Sequence, residues 1–81
     1  MKGSRVNAEL AEIQTIVGLQ LGYPQVLPHL RLVEDLGAES GDFVVIIATL
    51  EERYDIVFAE TELAAIRTTF DLYQLVNKLI T

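Results

Sequence analysis

Two serines, Ser4 and Ser40, and one histidine, His29, are where nucleophilic chemistry would have to begin in this 81-residue chain, because it contains no cysteine. A serine attacks only when a neighbouring base takes its proton. His29, the sole imidazole, lies in a proline-flanked stretch and reads as a solvated loop residue. Twelve Asp and Glu residues are available for paired-carboxylate chemistry, but such a pair needs a concave pocket, which one small helical core scarcely provides. The acids read better as a solvated face. Gly37 and Gly41 bracket Ala38, Glu39 and Ser40 without opening a phosphate-cradling loop, and neither the HExxH nor the EF-hand spacing occurs. The chain is therefore not read as an enzyme. Ser40, at the start of a helical pattern and flanked by Glu39 and Asp42, reads on position alone as a helix N-cap.

The elements that place these residues follow from apolar spacing. Val6, Leu10, Ile13 and Val17, widened by Ile16, form one face of a first helix over about 4–20, capped by Ser4, with Glu9 and Glu12 toward solvent and a stop at Gly22 and Pro24. From Gly22 to Ala38, prolines and glycines break the periodicity and leave Leu27, Leu30, Leu32 and Leu36 as apolar anchors of a long ordered loop. Loops of this length are commonly functional. Phe43, Ile46, Ile47, Leu50 and Tyr54 then repeat at helical intervals, which favours a second helix over 41–54 despite its strand-like Val-Val-Ile-Ile composition. An extended link from Asp55 to Ala59 leads to a short helix within 60–66. Thr68 and Asp71 have capping-box spacing before the Leu72, Leu75, Val76 and Leu79 stripe of a last helix, whose Asp71 and Lys78 suit the helix dipole. The expected fold is all-α: one domain over 1–81, a small bundle of three main helices and a short one.

Composition restricts the partners. At 51% apolar residues the chain can bury a core, although a domain this small hides only about 60% of its unfolded surface. The absence of cysteine fits a cytoplasmic protein, and no run is long and apolar enough for a membrane span. Nine of the twelve acids fall between Glu34 and Glu62, with Arg53 as the only base among them, and the net charge is −6. Such a field repels nucleic acid and steers basic protein surfaces toward it.

Three stretches of the sequence carry a resemblance. Asp35-Leu36-Gly37-Ala38-Glu39-Ser40 leads straight into the second helix, Leu50-Glu51-Glu52-Arg53-Tyr54-Asp55-Ile56 closes it, and Thr68-Thr69-Phe70-Asp71-Leu72 opens the last. Together they resemble the acyl carrier protein family, with its Asp-Leu-Gly-x-Asp-Ser-Leu motif, its Leu-Glu-Glu-x-Phe-Asp-Ile segment and its Thr-Val-x-Asp-Leu segment. The resemblance implies a small helical carrier whose Ser40 bears covalent 4′-phosphopantetheine, added by a separate phosphopantetheinyl transferase. The thiol that this chain lacks would arrive with that group and hold an acyl unit as a thioester. It also implies a monomer that basic acyl-loading and acyl-processing enzymes approach along the second helix, at Glu39, Gly41, Asp42, Val44, Val45, Ala48, Glu51 and Glu52.

Two positions depart from the motif. Glu39 stands where the family has Asp, and Gly41 where it has Leu. Val45 further replaces the Glu of many fatty-acid carriers; it is either half-buried against the loop or part of an exposed apolar docking patch. These departures point to a specialised carrier rather than one for bulk fatty-acid synthesis. The alternative is an acidic helical interaction module that is never phosphopantetheinylated.

Overall fold

Ile13 and Val17 of the first helix, Ile46 and Leu50 of the second, and Leu72 and Val76 of the last are all at most 1% exposed, and around these six side chains the bundle closes. The computed structural model describes residues 7–80. Among them the chain forms α1 (Leu10–Leu21), α2 (Ser40–Tyr54), α3 (Glu60–Leu63) and α4 (Thr69–Ile80). α1 packs on both α2 and α4, while α2 and α4 meet more sparingly. No helix among the described residues is long and apolar enough to cross a membrane.

α1 begins at Leu10, later than its apolar pattern predicts, and the expected cap Ser4 and the apolar Val6 lie outside the described residues. Asn77 of α4 supplies the reason. Its Oδ1 accepts the Ala8 N–H at 2.7 Å and its Nδ2 donates to the Ala8 carbonyl at 3.3 Å, so both backbone groups of Ala8 are paired outside any helix. Glu9 takes the N-cap position without a side-chain cap bond.

The loop between α1 and α2 is ordered by side chains that differ in part from those expected. Val26, Leu32 and Leu36 are buried, but Leu27 is 54% exposed and Leu30 only half-buried. An antiparallel bridge joins Arg31 to Thr68, with Leu32 N–H donating to the Arg67 carbonyl at 2.8 Å. The loop is thus stitched to the start of α4.

α3 has a single turn's length. α4 starts as its sequence predicts: Asp71 N–H donates to Thr68 Oγ1 at 3.1 Å, and Thr68 N–H returns a bond to Asp71 Oδ2 at 3.0 Å. This reciprocal box satisfies two amides that the helix itself leaves unpaired.

Candidate functional site

The loop turns into α2 through Gly37, whose φ of 74° belongs to the left-handed region that side chains avoid. Ala38 then buries its methyl, and Glu39 is extended, with φ −105° and ψ 169°. Glu39, and not Ser40, is the N-cap residue. Ser40 is the first residue of the helix itself and is exposed, which corrects its reading as the cap. The α2 start is instead fixed by Asp42, whose Oδ2 accepts the Glu39 N–H at 2.9 Å. Asp42 Oδ1 accepts a second bond, at 3.0 Å, from Gln20 Nε2 in the last turn of α1. These two bonds, the backbone one first, hold the Asp42 carboxyl below its ordinary value of 3.8.

One flank of α2 forms the wall of an apolar groove of about 690 Å³ that includes Ser40. Phe43, Val44, Ile47 and Ala48 contribute from α2, with Leu63 and Ile66 opposite. Ser40 and Glu51 mark its extent along α2, about 16 Å at the helical rise per residue. Phe43 and Ile47 were expected in the core stripe; both are half-buried and face this groove, whereas Ile46, Leu50 and Tyr54 of the same stripe are buried.

The residues expected to meet partners separate into two groups. Glu39, Gly41, Val44, Val45, Ala48 and Glu52 are exposed, Val44 at 68% and Val45 at 46%. Val45 lies beside α1, where Ile16, Leu19 and Gln20 share a shallow depression with it, and not against the loop. Leu19, 79% exposed, extends this apolar surface onto α1 and escaped notice in the sequence because its neighbours give it no distinguishing pattern. Asp42 and Glu51, by contrast, are half-buried and engaged within the molecule. Glu51 accepts the Phe58 N–H at 2.9 Å and so ties the link before α3 to α2. A Cβ built at Gly41 would meet nothing within 4 Å, so the space beside Ser40 is open.

Comparison with known proteins agrees with this geometry. Residues 11–76 match the family model described as the phosphopantetheine attachment site. The acyl carrier protein of Syntrophobacter fumaroxidans (strain DSM 10017 / MPOB) is 33% identical over 75 residues, spanning 90% of this chain and 93% of that one. The solved structure of "a putative acyl carrier protein" from Mycobacterium tuberculosis superposes with a TM-score of 0.74 at 26% identity, covering 82% of this chain and 92% of its own. The chain belongs to the acyl carrier proteins, the family defined by a phosphopantetheine attachment site. Its members carry their cargo without catalysing its conversion.

The residues present suit such a group. A primary hydroxyl stands exposed at the first position of a 15-residue helix, where unpaired backbone N–H groups and the positive end of the helix dipole favour a phosphodiester anion. The neighbouring groove is apolar along its length and could cover part of an arm or its acyl unit. Bound there, the group would supply the terminal thiol for thioester chemistry.

Proposed function

We propose that Ser40 is the attachment serine and that the chain carries an acyl or related intermediate as a thioester on 4′-phosphopantetheine, serving a pathway other than bulk fatty-acid synthesis. The observation that carries this reading is the exposed Ser40 hydroxyl on the first residue of α2, bordering the apolar groove. Among the described residues the Ser40 hydroxyl is hydrogen-bonded to no base. A transferase must remove its proton as the Oγ–phosphorus bond forms and the phosphoanhydride bond of coenzyme A breaks. Partners with basic surfaces, the transferase among them, are steered by the acids of α2 and its flanks, Glu39 and Glu52 foremost because they are exposed. The chain acts as a monomer in the cytoplasm. Specialisation rests on Gly41 and Val45: both are exposed, and Gly41 stands where the family motif has Leu, Val45 where many fatty-acid carriers have Glu. Coexpression with a broad-specificity transferase, followed by intact mass of the wild type and of Ser40→Ala, tests the attachment site. One added phosphopantetheine mass on the wild type and none on the variant is the expected pair.

A further inference from the structure

We infer that Gln20, in the last turn of α1, and Tyr23, just after it, are positioning residues that clamp the segment carrying Ser40 from both sides. The inference rests on Ser40 being the attachment serine. Tyr23 follows α1, and its hydroxyl donates to the Leu36 carbonyl at 3.0 Å, upstream of Ser40. Gln20 donates to Asp42 downstream of Ser40 at 3.0 Å, and Asp42 in turn holds the Glu39 N–H. Both bonds start from the same end of α1, so that end acts as a two-point jig for residues 36–42.

Gly18 makes the upstream arm possible. The Gly22 and Tyr23 N–H groups both donate to the Gly18 carbonyl, at 2.8 and 2.9 Å, turning the chain back over the helix end. A Cβ built on Gly18 would stand 2.8 Å from the Tyr23 carbonyl oxygen, closer than real Cβ contacts come. Only glycine lets the turn fold this tightly and aim the Tyr23 ring at Leu36.

The clamp matters because a transferase must align a hydroxyl that sits on the first residue of a helix, where the backbone is least constrained. Asp42 has both carboxylate oxygens engaged inside the molecule, so its main service is internal, not the capture of a basic partner. The test is steady-state transfer from coenzyme A to the full-length unmodified chain by a broad-specificity transferase, with amide hydrogen exchange at 39–42 measured on the same proteins. Gln20→Leu and Tyr23→Phe should each lower kcat about fivefold, as for the loss of one net hydrogen bond. KM should stay unchanged, and exchange at Glu39 should quicken for Gln20→Leu. Adding Gln20→Leu to Asp42→Ala should cost nothing further. Asp42→Asn, which keeps an acceptor for Glu39 and can pair with Gln20 once that amide turns over, should retain the wild-type kcat.

Wild-type kcat in both Gln20→Leu and Tyr23→Phe, or unaltered exchange at Glu39 in Gln20→Leu, overturns the clamp. So does a rise in KM for Asp42→Asn equal to that for Asp42→Ala, which would make Asp42 a docking charge. A wild type left unmodified while a control carrier is fully converted removes the Ser40 reading instead; exchange at Glu39 then still decides whether the clamp exists.

Discussion

Glu12 of α1 accepts hydrogen bonds from the Tyr54 hydroxyl and from the Arg53 guanidinium of α2, joining the two helices at the opposite end from Ser40. Glu12 thus keeps the solvent-side position its helical place suggests, half-exposed, while also tying α1 to α2. The Arg53 and Tyr54 bonds lower its pKa below the ordinary 4.5, while burial and then the Glu12 carboxylate push the Tyr54 hydroxyl up to about 12. Because the folded value of Tyr54 lies above its ordinary 10.0, its contribution is complete below pH 10 and is lost as pH rises from 10 toward 12. Denaturant unfolding of the wild type should show a stability decline over that window, bounded by about 1.4 kcal/mol per pH unit for one proton. Tyr54→Phe should lack that part of the slope. Equal slopes in both proteins would contradict the assignment.

Thr69 at the start of α4 is fully buried, and its hydroxyl finds no hydrogen-bond partner among the described residues. An unpaired buried hydroxyl is a net cost. Thr69→Val keeps the shape and removes the polar atom, so it should stabilise by about 1 kcal/mol and raise Tm by about 4–8 °C. A lower Tm would mean that the hydroxyl is paired, for example by a bound water.

Glu51 and Glu52 are adjacent acids with different duties. Glu52 is exposed, whereas Glu51 anchors the Phe58 amide. Glu52→Lys should slow association with a basic transferase, an effect that fades as salt shortens the screening length to about 10 Å at 0.1 M, with thermal stability unchanged. Glu51→Lys should lower Tm and quicken amide exchange at Phe58. Indistinguishable stability for the two variants would refute the anchoring role.

Gly41 and Val45 can both accept larger side chains. The Cβ position at Gly41 is open and Val45 is 46% exposed, so Gly41→Leu with Val45→Glu should fold. Replacing a helical glycine and an exposed β-branched residue should add up to about 1 kcal/mol of stability. The double variant should also be loaded faster by fatty-acid synthesis enzymes. If the wild type is already loaded efficiently and the variant no better, the specialised reading gives way to a housekeeping carrier.

What could be read in the sequence is what local spacing determines. The Thr68–Asp71 box and the Ile46, Leu50, Tyr54 stripe depend on residues within a few turns of each other, and both are found in the fold. The α1 start could not be read, because Asn77 of α4 sets it by pairing with Ala8 across the whole length of the chain. Val26 rather than Leu27 enters the core because the loop has no period to register its faces. On α2, the exposure of Gly41, Val44, Val45 and Ala48 followed from helical facing, and the place of Ser40 at the helix start from the apolar pattern. The groove needed α3 opposite Phe43 and Ile47, and the engagement of Asp42 needed Gln20 from another helix, so neither could be seen in the order of residues alone.

Intact mass spectrometry of the chain coexpressed with a broad-specificity phosphopantetheinyl transferase tests the central claim most directly. The wild type should gain one 4′-phosphopantetheine mass, localised to Ser40 by fragmentation, and Ser40→Ala should gain none while keeping the wild-type helical circular dichroism spectrum. A wild type that stays unmodified under conditions that fully convert a control carrier, or a Ser40→Ala variant that is still modified, would contradict it.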